Sequence, residues 1–199
     1  NKIAVGKDVP YDATDLDYPI KKNISNIAES KNKKISELTV CILDRPRHKK
    51  IIDELKMLDV NLKLISDGDI CGALSVTDNK YKTDLFLGVG GGPEGVISAA
   101  ALDAYGCKFQ GRFIFDTDQD KNRAKKMGIM DLDKKYELNE IVKGDSIFCA
   151  TGITNTEMVA AIKKDNTKFI TETLVTHKES TIEIIKSEEP IAWLFLIIA

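Results

Sequence analysis

From residue 38 onward, short β-branched apolar runs alternate with helical patterns, and this alternation limits the available folds more than any other feature. Leu38-Thr-Val-Cys-Ile-Leu reads as a strand, and residues 48–58 as an amphipathic helix with Ile51, Ile52, Leu55 and Leu58 on one face. The pattern then predicts strand 62–65, helix 70–76, strand 84–89 and helix 93–105, closed by Gly106. It continues with strand 109–115, a basic helix over 120–127, strand 145–150, helix 157–164 and strand 168–176. Such alternation implies an α/β fold, a mostly parallel covered sheet built from βαβ units, with ligands at the carboxyl ends of the strands. Residues 1–37 read as a polar connecting segment with one helix over 20–30, residues 38–182 as the α/β lobe, and 183–199 as an atypical tail.

Charge and cysteine usage narrow the partners. The 29 basic and 31 acidic residues are interspersed, giving a net charge of −2 and no basic face of the kind a duplex binds, so no nucleic acid partner is expected. Cys41, Cys71, Cys107 and Cys149 are too widely spaced for a disulfide framework or a CxxC zinc site, which fits a reducing, cytoplasmic setting. No signal-peptide pattern occurs in residues 1–30. The apolar run Ile191-Ala-Trp-Leu-Phe-Leu-Ile-Ile-Ala falls well short of the roughly 20 residues that span a bilayer, so no membrane association is expected. It reads either as a buried last strand or as the chance terminus of an incomplete sequence.

The loops after the strands carry the candidate chemistry. Asp44-Arg-Pro-Arg-His-Lys-Lys sets Arg45, Arg47 and His48 at a helix start, where guanidinium forks and backbone donors favour an anion; taken alone the run is also an ordinary solvated basic helix start. Ser66-Asp-Gly-Asp offers Asp67 and Asp69 to sugar hydroxyls or a divalent cation, or as plain turn and cap residues around Gly68. Gly88-Val-Gly begins like a dinucleotide fingerprint, but residue 93 is Pro where the third glycine is needed. Gly90 and Gly95 have P-loop spacing, yet Val96 and Ile97 stand where Lys and Ser or Thr are required. What remains is a glycine loop opening a helix, with Pro93 at its start and Glu94 in its first turn. That carboxylate either complements the helix dipole or contributes to a hard-metal site. Ala150-Thr-Gly-Ile-Thr-Asn-Thr reads first as a cap, with Thr154 or Asn155 in the role.

Taken in order, Asp44-Arg-Pro-Arg-His, Asp67-Gly-Asp, Gly88-Val-Gly-Gly-Gly-Pro-Glu-Gly-Val-Ile-Ser-Ala-Ala-Ala, Phe109-Gln-Gly-Arg and Ala150-Thr-Gly-Ile-Thr resemble the class II (GlpX-type) fructose-1,6-bisphosphatases. The likeness runs from about Ile3 to about Ile182. It implies a sugar-phosphatase fold related to the lithium-sensitive phosphatases and a hydrolase of gluconeogenesis, dependent on Mn2+ or Mg2+, acting on the 1-phosphate of fructose 1,6-bisphosphate. Some members also take sedoheptulose 1,7-bisphosphate. Carried over by position, Glu94 is a metal ligand and Gly91 lines the substrate, while Arg45, Pro46 and Arg47 hold its phosphate and Asp67, Gly68 and Asp69 its sugar hydroxyls. The family's N-terminal half supplies most carboxylate metal ligands and the residue that positions the attacking water. The resemblance therefore covers the C-terminal portion, without that half, of an enzyme expected to be a homo-oligomer when complete. A polar, basic ending typical of the family is replaced after Ile182, which suggests a truncated or frame-shifted product. The alternative is a noncatalytic phosphosugar-binding or regulatory module that keeps the anion loops without the chemistry.

Overall fold

The structure, a computed structural model, describes residues 1–179 and 181–190, so the run from Ile191 to Ala199, Trp193 included, lies outside the described residues. The chain divides into two compact units, residues 1–144 and 145–199.

In the first unit the elements follow as β1 (Lys2–Val5), α1 (Ile20–Ser30), β2 (Thr39–Leu43), α2 (Lys49–Met57), β3 (Asn61–Ile65), α3 (Asp69–Leu74), β4 (Leu85–Gly88), α4 (Gly92–Asp103), β5 (Lys108–Arg112), α5 (Asp118–Lys126), β6 (Lys135–Glu137) and α6 (Leu138–Ile141). One sheet runs in the order β3-β2-β4-β1-β5-β6. The pairs β2–β3 and β2–β4 are parallel, whereas β1 is antiparallel to both β4 and β5, and β6 is antiparallel to β5. It follows that β2, β3, β4 and β5 share one direction, and their carboxyl ends lie along one edge of the sheet.

Alternation along the strands sorts the core into two faces. Ile3, Val5, Val40, Leu85 and Leu87 gather with Ile24, Ile27 and Ala28 of α1 and Leu55 of α2 in one buried cluster. Each of the Ile, Val and Leu side chains contributes about 1.5–3 kcal/mol by leaving water. The residues between them in sequence, Ala4, Cys41 and Phe86, are equally buried, and α3 lies beside β2, β4 and α4. With both faces buried, β2 and β4 read as continuous apolar runs, the pattern of a covered sheet.

Among its described residues the second unit contains β7 (Ile147–Thr151), β8 (Lys163–Lys164), β9 (Lys168–His177) and β10 (Thr181–Pro190), all paired antiparallel.

Several expectations are corrected here. The fold is α/β, but its main sheet is mixed. The polar leader conceals a four-residue buried strand, β1, inserted antiparallel at the centre of the sheet. No helix forms over 157–164: Thr156 Oγ1 accepts the backbone N–H groups of Met158 and Val159, Glu172 Oε2 accepts that of Ala160, and Asn155 Oδ1 that of Ala161. A helix there would need the Ala160 and Ala161 donors, which Glu172 and Asn155 take instead, whereas the Thr156 contacts are those of a helix N-cap. Strand β5 stops at Arg112, where pairing with β6 ends, and Phe113 and Ile114 turn outward with 43% and 51% exposure.

Candidate functional site

The glycine loop after β4 is held by the turn after β2. Pro46 opens a 3-10 turn, Pro46–His48, that leads into α2. It buries the His48 imidazole completely. Nε2 of His48 accepts the Val89 backbone N–H at 2.8 Å, which leaves Nδ1 to donate to Leu43 O at 2.7 Å. The neighbouring Arg47 stays exposed and donates from Nε to Val89 O at 2.7 Å. Both polar groups of Val89 are thereby bound by the turn, and the rest of the guanidinium is held over the loop.

The loop's glycines let two carboxylates come close. A Cβ at Gly90 would stand 2.6 Å from Asp69 Oδ2 and 3.2 Å from Lys2 Nζ, and one at Gly91 would collide with Glu94 Oε2. Glu94 sits in the first turn of α4, folded back over Gly91, and its Oε2 is buried without a hydrogen-bond partner. Asp69 begins α3 after Gly68, whose φ of +85° only glycine adopts readily. Its Oδ2 pairs with the buried Lys2 ammonium, while Oδ1 is buried and unpartnered.

A cavity of about 700 Å3 opens on this loop, with Lys2, Arg47, Gly90, Gly91, Arg112 and Phe113 among the residues of its wall. Arg112 Nη2 donates to Asp17 Oδ1 at 2.6 Å, and Nε is buried without a partner. Asp17 also accepts Lys135 at 3.0 Å. Hydrogen bonds from Arg112 and then Lys135 hold its carboxyl below the usual carboxylate range. Three cations thus line one concave space, shared with Asp116 and Glu140, at the carboxyl end of the parallel strands, where an anion gains most from low dielectric and fixed donors. Among the described residues no three of His, Cys, Asp and Glu come together as a metal centre requires. A hard cation takes about six oxygen ligands, so Glu94 with its free oxygen fits one position in such a shell and these residues do not complete it.

The family described as bacterial fructose-1,6-bisphosphatase, glpX-encoded, matches residues 1–189. The chain belongs to this family. Two curated proteins named D-fructose 1,6-bisphosphatase class 2/sedoheptulose 1,7-bisphosphatase, from Synechococcus sp. strains JA-3-3Ab and JA-2-3B'a(2-13), are each 39% identical to it over 178 residues. A protein of the same name from Gloeobacter violaceus is 35% identical over 178 residues. Each alignment covers 83% of this chain and 51% of the relative, so the chain spans about half the length of the curated relatives it matches. The glpX-encoded bisphosphatase family match extends past Ile182 to residue 189. Residues 181–190 form β10, paired with β9.

Of the positions expected from the bisphosphatase pattern, Arg47 and Gly91 line the cavity, and Asp69 and Glu94 contact the same loop from behind its wall. Arg45 and Pro46 are exposed on the turn and lie outside the cavity lining. Asp67 is exposed and accepts the Gly68 N–H at 2.9 Å, which makes it the turn residue. His48, read with the anion-binding run, points inward and holds the loop instead. Lys2 and Arg112 were missed: Lys2 is signalled only by the short apolar run that it opens, and Arg112 only by the motif Phe109-Gln-Gly-Arg. Among the described residues no helix is long and apolar enough to cross a membrane.

Proposed function

We propose that this chain is the substrate-binding portion of a class II fructose-1,6-bisphosphatase, which hydrolyses the 1-phosphate of fructose 1,6-bisphosphate in gluconeogenesis and also accepts sedoheptulose 1,7-bisphosphate. The observation that carries the reading is the convergence of Lys2, Arg47 and Arg112 on one cavity beside the glycine loop, a charge pattern suited to a sugar bearing two phosphates. In this reading Arg47, with Arg45 and Pro46 on the same turn, binds phosphate. Gly91 lets the sugar approach, and the turn Asp67-Gly68-Asp69 stands on the side of its hydroxyls, with Asp69 behind the wall and acting through Lys2. Glu94 contributes one ligand to a manganese or magnesium ion. That ion supplies charge neutralisation on the phosphate and lowers the pKa of a bound water.

The fold is then that of the lithium-sensitive sugar phosphatases, and the enzyme is a cytoplasmic homo-oligomer. The three domain boundaries read from the sequence stand as part of this proposal, with residues 38–182 as the substrate lobe. Because Glu94 is one ligand among the several a metal needs, this chain alone is expected to bind the bisphosphate and release little or no phosphate from it. A second reading, a noncatalytic phosphosugar-binding module, draws on the same shortage of metal ligands among the described residues.

Calorimetric titration with fructose 1,6-bisphosphate, repeated with manganese, tests the proposal. Saturable binding that is weaker for fructose 6-phosphate is the expected result. Absence of binding to either sugar phosphate overturns both readings, and manganese-dependent release of phosphate by the chain overturns the claim that its metal site is incomplete.

A further inference from the structure

We infer that Lys2 is a substrate-binding residue, a direct ligand of one of the two phosphates, and that Asp69 positions it. This inference rests on the reading of the cavity as a sugar bisphosphate site.

Lys2 opens the antiparallel strand at the centre of the sheet. Its register partners are Gly88 on β4 and Gly111 on β5, so neither neighbouring strand places a side chain beside it. Because β1 runs against β4 and β5, its first residues arrive where those strands end. A lysine there is delivered to the ligand-binding edge of the sheet by topology alone.

Burial makes the assignment sharper. The Lys2 side chain is only 4% exposed, a degree of burial that lysines reach almost solely when paired. Its partner is Asp69, itself 12% exposed, whose other oxygen has no hydrogen-bond partner. An ammonium has three donors. One is directed to Asp69 Oδ2, and the lysine belongs to the cavity wall that Asp69 does not reach. A buried ion pair built purely for stability gains little over an apolar pair of the same volume. An ammonium held by a carboxylate from behind and facing a concave space with two guanidiniums is a preorganised phosphate ligand.

The test uses three phosphosugars, fructose 1,6-bisphosphate, fructose 1-phosphate and fructose 6-phosphate, titrated into wild type and Lys2→Met. If Lys2 touches one phosphate, the variant loses about 10- to 100-fold in affinity for the bisphosphate, the range of a charge-assisted hydrogen bond. It loses as much for the monophosphate that keeps the contacted group, and affinity for the other monophosphate stays within about threefold. Lys2→Met leaves the Asp69 charge unpaired, so the double variant Lys2→Met with Asp69→Asn, which removes both charges, is titrated as well. The same selective loss is expected there, and Asp69→Asn alone is expected to lose affinity for the same two ligands. Equal losses for all three ligands, or none for any, overturn the role of Lys2 while leaving the proposed function in place. Wild type that binds no phosphosugar removes the proposed function, and the role of Lys2 with it.

Discussion

A single buried imidazole joins the end of β2 to the loop after β4: His48 takes the Val89 N–H at 2.8 Å and gives its own N–H to Leu43 O at 2.7 Å. His48→Ala removes both hydrogen bonds and leaves a cavity in a fully buried site. A loss of about 2–4 kcal/mol is expected, read as a lower urea midpoint. Bisphosphate affinity should fall with it, because Arg47 is bonded to the carbonyl of the same Val89.

The two arginines of the turn are not equivalent. Arg47 is in the cavity wall and is fixed to the loop, whereas Arg45 lies outside that lining. Arg47→Ala is expected to weaken fructose 1,6-bisphosphate binding about 10- to 100-fold and Arg45→Ala by less than about threefold, measured by calorimetry. Arg47→Lys should recover little, since an ammonium cannot bond Val89 O and grip a phosphate in the planar fork that a guanidinium offers.

At Gly91 an added methyl group takes the space of Glu94 Oε2. Gly91→Ala therefore displaces the carboxylate from the loop. Any gain in bisphosphate affinity on adding manganese should shrink about tenfold, as far as in Glu94→Gln. Serine at 91 should behave like alanine, which separates a steric cause from a polar one.

At the opposite end of β4, Asp84 is 5% exposed and accepts Lys33 Nζ at 2.8 Å and the Thr39 N–H at 2.9 Å, with Lys31 Nζ at 3.2 Å. Burial alone raises the carboxyl pKa, but the Lys33 and Thr39 hydrogen bonds and the two lysine charges outweigh it and leave the group below its ordinary value. A carboxyl with a depressed folded pKa stabilises the fold above the unfolded value, about 3.9, and that contribution is lost as pH falls through the folded pKa. Acid unfolding should thus show a stability decrease below about pH 4 that Asp84→Asn makes shallower by the share this carboxyl contributes. The variant should cost roughly 3 kcal/mol at neutral pH, because Lys31 and Lys33 lose a buried counter-charge.

How far the sequence disclosed this arrangement depends on the kind of signal. Strands β2, β3 and β4 and the helices between them follow from β-branched runs and 3.6-residue periodicity, and α1 spans the expected residues 20–30. Strand β1 escaped because four residues are too few to show a period, and its burial comes from β4 and β5, whose paired residues lie 80 or more positions away in sequence. The helix expected over 157–164 failed because Glu172 and Asn155 bind the Ala160 and Ala161 donors, and no periodicity records such competition. Within the site, Arg47, Gly91 and Glu94 were legible as a motif. Lys2 and the inward turn of His48 were not, since each depends on which strand lies beside which.

The most direct test of the central claim, that the cavity at the glycine loop receives a sugar bisphosphate, is amide hydrogen exchange on the chain with and without saturating fructose 1,6-bisphosphate. Slower exchange concentrated in residues 44–48 and 89–94, and absent in Arg47→Ala, is the predicted result. Protection that appears only elsewhere, or that persists unchanged in the variant, would contradict it.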